Sequence, residues 1–180
     1  MKTIILAGGC FWGLQKFFDQ FECLKTETGY ANGNGDQVSY QQVCAGSGHA
    51  EAVKIEYPDS IELDQILAAY FAAVDPTSLN KQGNDVGINY RTGIYVTNEQ
   101  DTRIAQAMLA DLQKHFTKPI QIEVKKLVNY CSAEDDHQKY LDKNPGGYCH
   151  LPRVLLSGHI LPSQADVLET YPSLKEILSE

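Results

Sequence analysis

The chain of 180 residues carries a net charge of −8, with 43% hydrophobic and 21% charged residues. That length suits one domain with a sizeable core, and the acidic balance excludes the clustered Lys and Arg of a nucleic-acid footprint. No apolar run approaches the ~20 residues of a membrane helix, and Ile4 to Ala7 is too short for a signal h-region, so no membrane association and a cytoplasmic setting are expected.

In chain order, Thr3 to Ala7 is an apolar, β-branched run that predicts a buried strand. Gly8 and Gly9 turn the chain, and Leu14, Phe17, Phe18 and Phe21 then recur at helical spacing. Cys10 therefore falls at a helix N-terminus, where unpaired N–H groups and the macrodipole favour a thiolate. Leu24 to Tyr30 reads as a strand, and Ala31 to Asp36 as a turn cluster. Ser39 to Ala45 is ambiguous. Ala50 to Tyr57 alternates, with Val53, Ile55 and Tyr57 marking a core face on which Glu51 is the polar exception. Ile66 to Val74 follows helical spacing, and the irregular stretch from Asp75 to Tyr90 has the length of a functional loop. Thr92 to Thr97 predicts a strand, Asn98 a cap for a helix running to about His115, and Ile120 to Leu127 a further strand. Ala133 to Lys143 is charged and reads as helical, stopped by Asn144-Pro145-Gly146-Gly147. Short helical turns are expected near the end of the tail.

The order β-α-β-β-α-β, then α-β, predicts an α/β (α+β) fold: a ferredoxin-like α/β plait with a mixed sheet, helices and extra C-terminal coil. We expect one catalytic domain over residues 1–180, with 151–180 as an extension packed over the sheet. The five cysteines, Cys10, Cys23, Cys44, Cys131 and Cys149, include no C-x-x-C pair, which disfavours a disulfide framework and a zinc site and leaves buried hydrophobes plus one or two redox-active thiols.

Seven blocks carry a resemblance. They are Gly9-Cys10-Phe11-Trp12-Gly13, Gly29-Tyr30, Tyr40 to Cys44, Gly48 to Val53, Gln82 to Gly87 with Tyr90-Arg91, Ala133 to Gln138, and Gly147-Tyr148-Cys149. Together, in this order, they resemble peptide-methionine sulfoxide reductase, class A. The resemblance implies reduction of methionine-(S)-sulfoxide, free or in proteins, to methionine, one of the repair routes for oxidised methionine. It implies Cys10 as the nucleophile that ends as a sulfenic acid, a second thiol that resolves it as a disulfide, and thioredoxin or a dithiol as external reductant. No cofactor and no metal are implied, and a monomer is expected.

Residue chemistry fits that reading. A sulfoxide oxygen leaves poorly unless protonated, and Glu51 on an apolar strand face has the burial that raises a carboxyl toward neutral pH; without the motif, a salt-bridged or edge-strand Glu is the commoner case. Tyr40 and Tyr90 match family tyrosines that hydrogen-bond the oxygen, and Asp85 matches an Asp that shapes the site. Phe11 and Trp12 could clasp the S-methyl group, or belong to the core. Cys149 matches the family Gly-Tyr-Cys position and follows a flexible Pro-Gly-Gly approach, which makes it the best resolving candidate. Cys44 matches a structural cysteine, Cys23 is expected buried and Cys131 a spectator. His49 and His137 are read as satisfied structural histidines, and Glu134 to Asp136 as a solvated helix start that could equally order the loops. The Cys44 to Gly48 loop is one residue shorter than in relatives, and no cysteine follows Cys149, so a two-thiol cycle is expected. A thiol peroxidase, or a redox-sensing or sulfoxide-binding module using Cys10, is the competing reading.

Overall fold

In the computed structural model, which describes residues 1–179, the first apolar run lies inside a six-stranded sheet. The strands are β1 (Lys2–Ala7), β2 (Lys25–Ala31), β3 (Ala50–Tyr57), β6 (Gly93–Val96), β7 (Glu123–Lys126) and β8 (Tyr130–Ser132), in the order β7-β6-β1-β3-β2-β8. Among the described residues only β6 and β7 pair in parallel; the other pairs of this sheet are antiparallel. A separate short hairpin pairs β4 (Lys81–Gln82) with β5 (Asp85–Val86). The central order β6-β1-β3-β2 is the plait that the sequence predicts.

Helix α1 (Phe11–Asp19) lays Phe11, Leu14, Phe17 and Phe18 on the sheet, each buried to within a few per cent. At roughly 1.5–3 kcal/mol per large apolar side chain, this stripe fixes the rotation of the helix and hence the place of Cys10. Helices α3 (Leu63–Ala73) and α4 (Glu99–Gln113) join the same core through Ile66, Leu67, Tyr70, Ile104 and Met108. Asn98 caps α4 as expected, its side chain accepting the Asp101 N–H at 2.8 Å.

β3 decides the geometry of the site. Its register sets Glu51 opposite Tyr30, on the face shared with Val53 and Ile55. The alternate face is not polar near its start: Ala50 and Ala52 are buried with Ile5, Ala7, Ala31 and Tyr95, beneath Leu127 and Tyr130.

Several expectations change. The ambiguous Ser39 to Ala45 piece is a short helix, α2 (Tyr40–Cys44), closed by a Ser39–Gln42 capping box. Ala133 to Lys143 is not one helix but a 3-10 turn at Asp135–His137 and a single-turn α5 (Tyr140–Lys143), separated by Lys139 at φ 53°. The Gln138 side chain causes the break. It accepts the Thr28 N–H and donates to the Thr28 carbonyl, satisfying the edge of β2 in place of another strand residue. Cys23 is exposed rather than buried, because it lies in the turn after α1, outside the apolar stripe. The tail forms α6 (Gln164–Thr170) and α7 (Leu174–Leu178), which pack on α3 and α4 rather than on the sheet.

Candidate active site

Cys10 occupies the N-cap position of α1, with extended backbone, and its side chain is buried. Three neighbours set its surroundings. Glu51, only 1% exposed, accepts the Phe11 N–H through Oε1 at 3.2 Å, so the carboxyl sits on the first turn of the helix beside the thiol. Asn89 donates to the other oxygen, Oε2, at 3.4 Å. Asp85 Oδ2 accepts the Cys10 N–H at 3.3 Å, while its Oδ1 accepts the Tyr148 hydroxyl at 2.9 Å.

Burial pushes the Glu51 carboxyl up to about 8, against the two hydrogen bonds that favour its charged form. A protonated carboxyl therefore stands next to Cys10 at neutral pH. The thiol itself is pushed well above its ordinary range, first by burial and then by Glu51, with the Trp12 backbone N–H pulling the other way. This corrects the expected thiolate. The helix N-terminus acts in the predicted direction, but desolvation and the neighbouring carboxyls outweigh it.

Tyr40 at the start of α2 and Tyr90 at the end of a 3-10 turn (Ile88–Tyr90) both face Glu51 and each other. Burial raises both phenols, Tyr90 to about 12, so they remain hydrogen-bond donors. Tyr40 is placed by Glu134, whose carboxylate accepts the Tyr40 N–H at 3.0 Å and the Tyr30 hydroxyl at 2.9 Å. Tyr90 is placed from both sides of its turn: its carbonyl accepts the Gly9 N–H at 3.2 Å, and Arg91 donates to the carbonyls of Gly48, Ile88 and Asn32.

Phe11 lies under the site, 1% exposed, with ring contacts to Tyr30 and His137. Trp12 is partly open. Its indole N–H donates to His137 Nδ1 at 3.0 Å, and its ring stacks on Tyr140 with centroids 3.6 Å apart. His137 also contacts Tyr40 at 4.7 Å, so it holds the aromatic wall together instead of serving only the core. His49, by contrast, is structural as expected, bonded to Ser47 and the Gly35 carbonyl.

Cys149 is brought to the same place. Its Sγ lies 3.0 Å from where a side-chain carbon at Gly13 would stand, one turn from Cys10, whose titration its charge affects. Cys131 is buried elsewhere, its thiol 3.8 Å from the Val38 carbonyl. Cys44 is exposed at the end of α2. All five cysteines are free thiols. The hairpin carrying Asp85 is fixed by Gln82, which bonds both the N–H and the carbonyl of Asp75 at 2.9 Å. A surface cavity of about 550 Å³ lined by Asn32, Arg91, Glu123 and Lys126 contains none of the predicted site residues except the neighbour of Tyr90. Among the described residues, no cluster of His, Cys, Asp or Glu could hold a metal ion, and no helix is long and apolar enough to cross a membrane.

A sequence profile of peptide methionine sulfoxide reductase matches residues 2–164. A relative called peptide methionine sulfoxide reductase MsrA, from Lachnoclostridium phytofermentans, is 52% identical over 153 residues, 83% of this chain and 92% of its own. The chain belongs to the peptide methionine sulfoxide reductase family. The solved structure of reduced Mxr1 from Saccharomyces cerevisiae matches with a TM-score of 0.79 at 33% identity, covering 82% of this chain and 88% of that one. Mxr1 in complex with Trx2 shares the fold at a TM-score of 0.56 and 21% identity, over 77% of this chain and 84% of that one.

Three residues around this site went unread in the sequence: Asn89 on Glu51, Tyr148 on Asp85, and His150, whose Nδ1 lies 3.7 Å from Asp85 Oδ2. Asn89 and Tyr148 lie inside the recognised blocks or next to them, which is the one signal that pointed their way. His150 follows the last block by a single residue.

Proposed function

We propose that this chain reduces methionine-(S)-sulfoxide, free or in proteins, to methionine, with Cys10 as nucleophile and Glu51 as proton donor. The observation that carries the reading is the buried Glu51 carboxyl held on the Phe11 N–H beside the Cys10 thiol, where burial favours its protonated form. The Cys10 thiol gives up its proton as its sulfur attacks the sulfoxide sulfur, the oxygen receives the Glu51 proton as negative charge develops on it, and the thiol proton restores Glu51. The Tyr40 and Tyr90 hydroxyls donate to the same oxygen. A site built to bond that oxygen rejects methionine itself, which lacks it. The S-methyl group rests against Trp12 and Phe11, and Asp85 holds the Cys10 backbone in place. The hydroxyl then passes from the methionine sulfur to the Cys10 sulfur as the bond between the two sulfurs breaks, so methionine leaves with that electron pair and Cys10 carries the oxygen as a sulfenic acid. Cys149 then displaces it as water, forming the Cys10–Cys149 disulfide.

Thioredoxin or a dithiol reduces that disulfide, with no resident cofactor or metal. We read residues 1–180 as one catalytic unit working as a cytoplasmic monomer; the unpaired state of all five cysteines suits a reducing compartment. The Glu51 carboxyl held beside the Cys10 thiol suits protonation of a sulfoxide oxygen, and this favours the sulfoxide reading over a thiol peroxidase.

The test uses epimerically pure methionine sulfoxides with dithiothreitol. With that reductant the wild type turns over the S epimer and Cys10→Ser loses turnover entirely; without any reductant, Cys149→Ser releases one methionine per chain and leaves a trappable sulfenic acid. Absence of S-epimer turnover by the wild type, or hydroperoxide consumption faster than sulfoxide reduction, overturns the reading.

A further inference from the structure

One buried side chain takes no part in these steps. His150 follows Cys149 on an open loop, yet its side chain is turned inward and only 2% exposed. The ring is wedged against the backbone of α1 and the turn before it. A side-chain carbon at Gly9 would stand 2.6 Å from Nε2, and one at Gly13 3.1 Å from Cε1 and Nδ1. Both ring nitrogens are buried and neither has a hydrogen-bond partner among the described residues. The Gly8 carbonyl and the Asp85 carboxylate, whose Oδ2 lies 3.7 Å from Nδ1, stand beside the ring without completing one.

Leaving a buried imidazole unpaired costs its desolvation with no return. The use it could have lies in its position. Cys149 Sγ sits over the same point above Gly13 as the His150 ring, at 3.0 Å against 3.1 Å, so thiol and imidazole converge on the helix turn that follows Cys10. The charged and titratable groups around them are Asp85 from β5, Cys10 from the start of α1, Glu51 from β3 acting on Cys10, and Tyr148 and Arg153 on the loop itself. Burial lowers the imidazole below its ordinary range and raises the Cys149 thiol, with Arg153 pulling that thiol the other way. A thiol so raised needs its proton removed before it can attack, and the imidazole is the base that lies with the sulfur, at 3.1 and 3.0 Å, about one point above Gly13.

We propose that His150 receives the Cys149 proton as the Cys10–Cys149 disulfide forms. The Cys149 sulfur attacks the Cys10 sulfur, the S–S bond forms and the S–O bond of the sulfenic acid breaks. Cys149 sulfur is oxidised and Cys10 sulfur reduced to the disulfide level. The proton taken by the ring is returned to the departing hydroxide, which leaves as water. Asp85, already fixed by the Cys10 N–H and the Tyr148 hydroxyl, faces the imidazolium while it exists.

This inference rests on the reading of Cys149 as the resolving thiol, and one experiment separates the two. Reduced full-length protein is mixed anaerobically with excess methionine-(S)-sulfoxide and no reductant. Methionine release and formation of the disulfide are followed separately, the latter by non-reducing peptide mass spectrometry. In His150→Gln and His150→Asn, methionine release should stay within twofold of wild type while disulfide formation slows about 10²-fold, the usual scale of general-base assistance. The wild-type disulfide rate should be level near neutral pH and fall tenfold per unit at acid pH, below the ordinary imidazole value of about 6.5. The variants' rates should instead rise steadily from pH 6 to 9 as the thiol ionises unaided. Variants with a wild-type disulfide rate and profile, a methionine release that falls in parallel, or a wild-type profile without the acid limb each overturn the proposal alone. A wild type that releases methionine without linking Cys10 to Cys149 overturns the resolving assignment and this proposal with it.

Discussion

Glu51 shows how one side chain can serve chemistry at the expense of the fold. Unfolded, it releases its proton near 4.5; folded, burial holds that proton to about 8. Between those values the folded chain binds a proton that the unfolded chain does not, so stability falls as pH rises and levels off above about 8. The total is on the order of several kcal/mol at 1.36 kcal/mol per unit. Glu51→Gln keeps an oxygen for the Phe11 N–H but cannot ionise. It should raise the melting temperature most at pH 8 and above and hardly at pH 5, while slowing methionine release about 10²-fold or more. Thermal melts across this range give the check; a gain that is constant with pH would show that Glu51 is not protonated in the folded chain. Cys10 follows the same logic. Its position at the end of a helix was readable from the glycines and the apolar stripe, but its charge was not, because the carboxyls that oppose the helix come from β3 and β5.

At the scale of elements, α1 carries both thiol partners' geometry. Gly13 lies in its first turns, where Ala would favour the helix by about 1 kcal/mol. The space above it is taken by Cys149 and His150, at 3.0 and 3.1 Å. Gly13→Ala should leave the fold at least as stable but push the resolving loop outward, slowing disulfide formation by roughly 10-fold or more while methionine release is spared. Single-turnover measurements of the two products decide it, and equal slowing of both would place the effect in the substrate pocket instead.

Periodicity made β1, α1, β3, α3 and α4 legible, since each buries one regular face. It also marked Glu51 as the exception in its row. Other parts had no period to read. β8 is three residues long and exists through pairing with β2. The Ala133 to Lys143 stretch has helical composition, yet Gln138 draws it onto Thr28, a contact 110 residues away in sequence. Asn89 stands in a single 3-10 turn and Tyr148 and His150 on irregular backbone, and their contacts come from separate segments meeting at Asp85 and Glu51.

At the scale of the whole molecule, the tail closes the core over α3 and α4. Val167, Tyr171 and Leu174 are buried in it, and Asp111 of α4 accepts both the N–H and the hydroxyl of Ser173 at 2.8 and 2.7 Å. The family match ends at residue 164, just where this helical pair begins. Leu174→Ala should therefore cost about 2–5 kcal/mol of stability and leave sulfoxide turnover at 25 °C unchanged. Chemical denaturation beside a steady-state assay would check this, and a loss of turnover in the folded variant would tie the tail to the site. The distribution of the thiols has a different kind of consequence. Cys23 and Cys44 are open to solvent, whereas Cys10 is covered and protonated. An alkylating reagent or a colorimetric thiol count thus samples the outer surface first, and the number of reactive sulfhydryls in a preparation is no measure of how many molecules in it are competent.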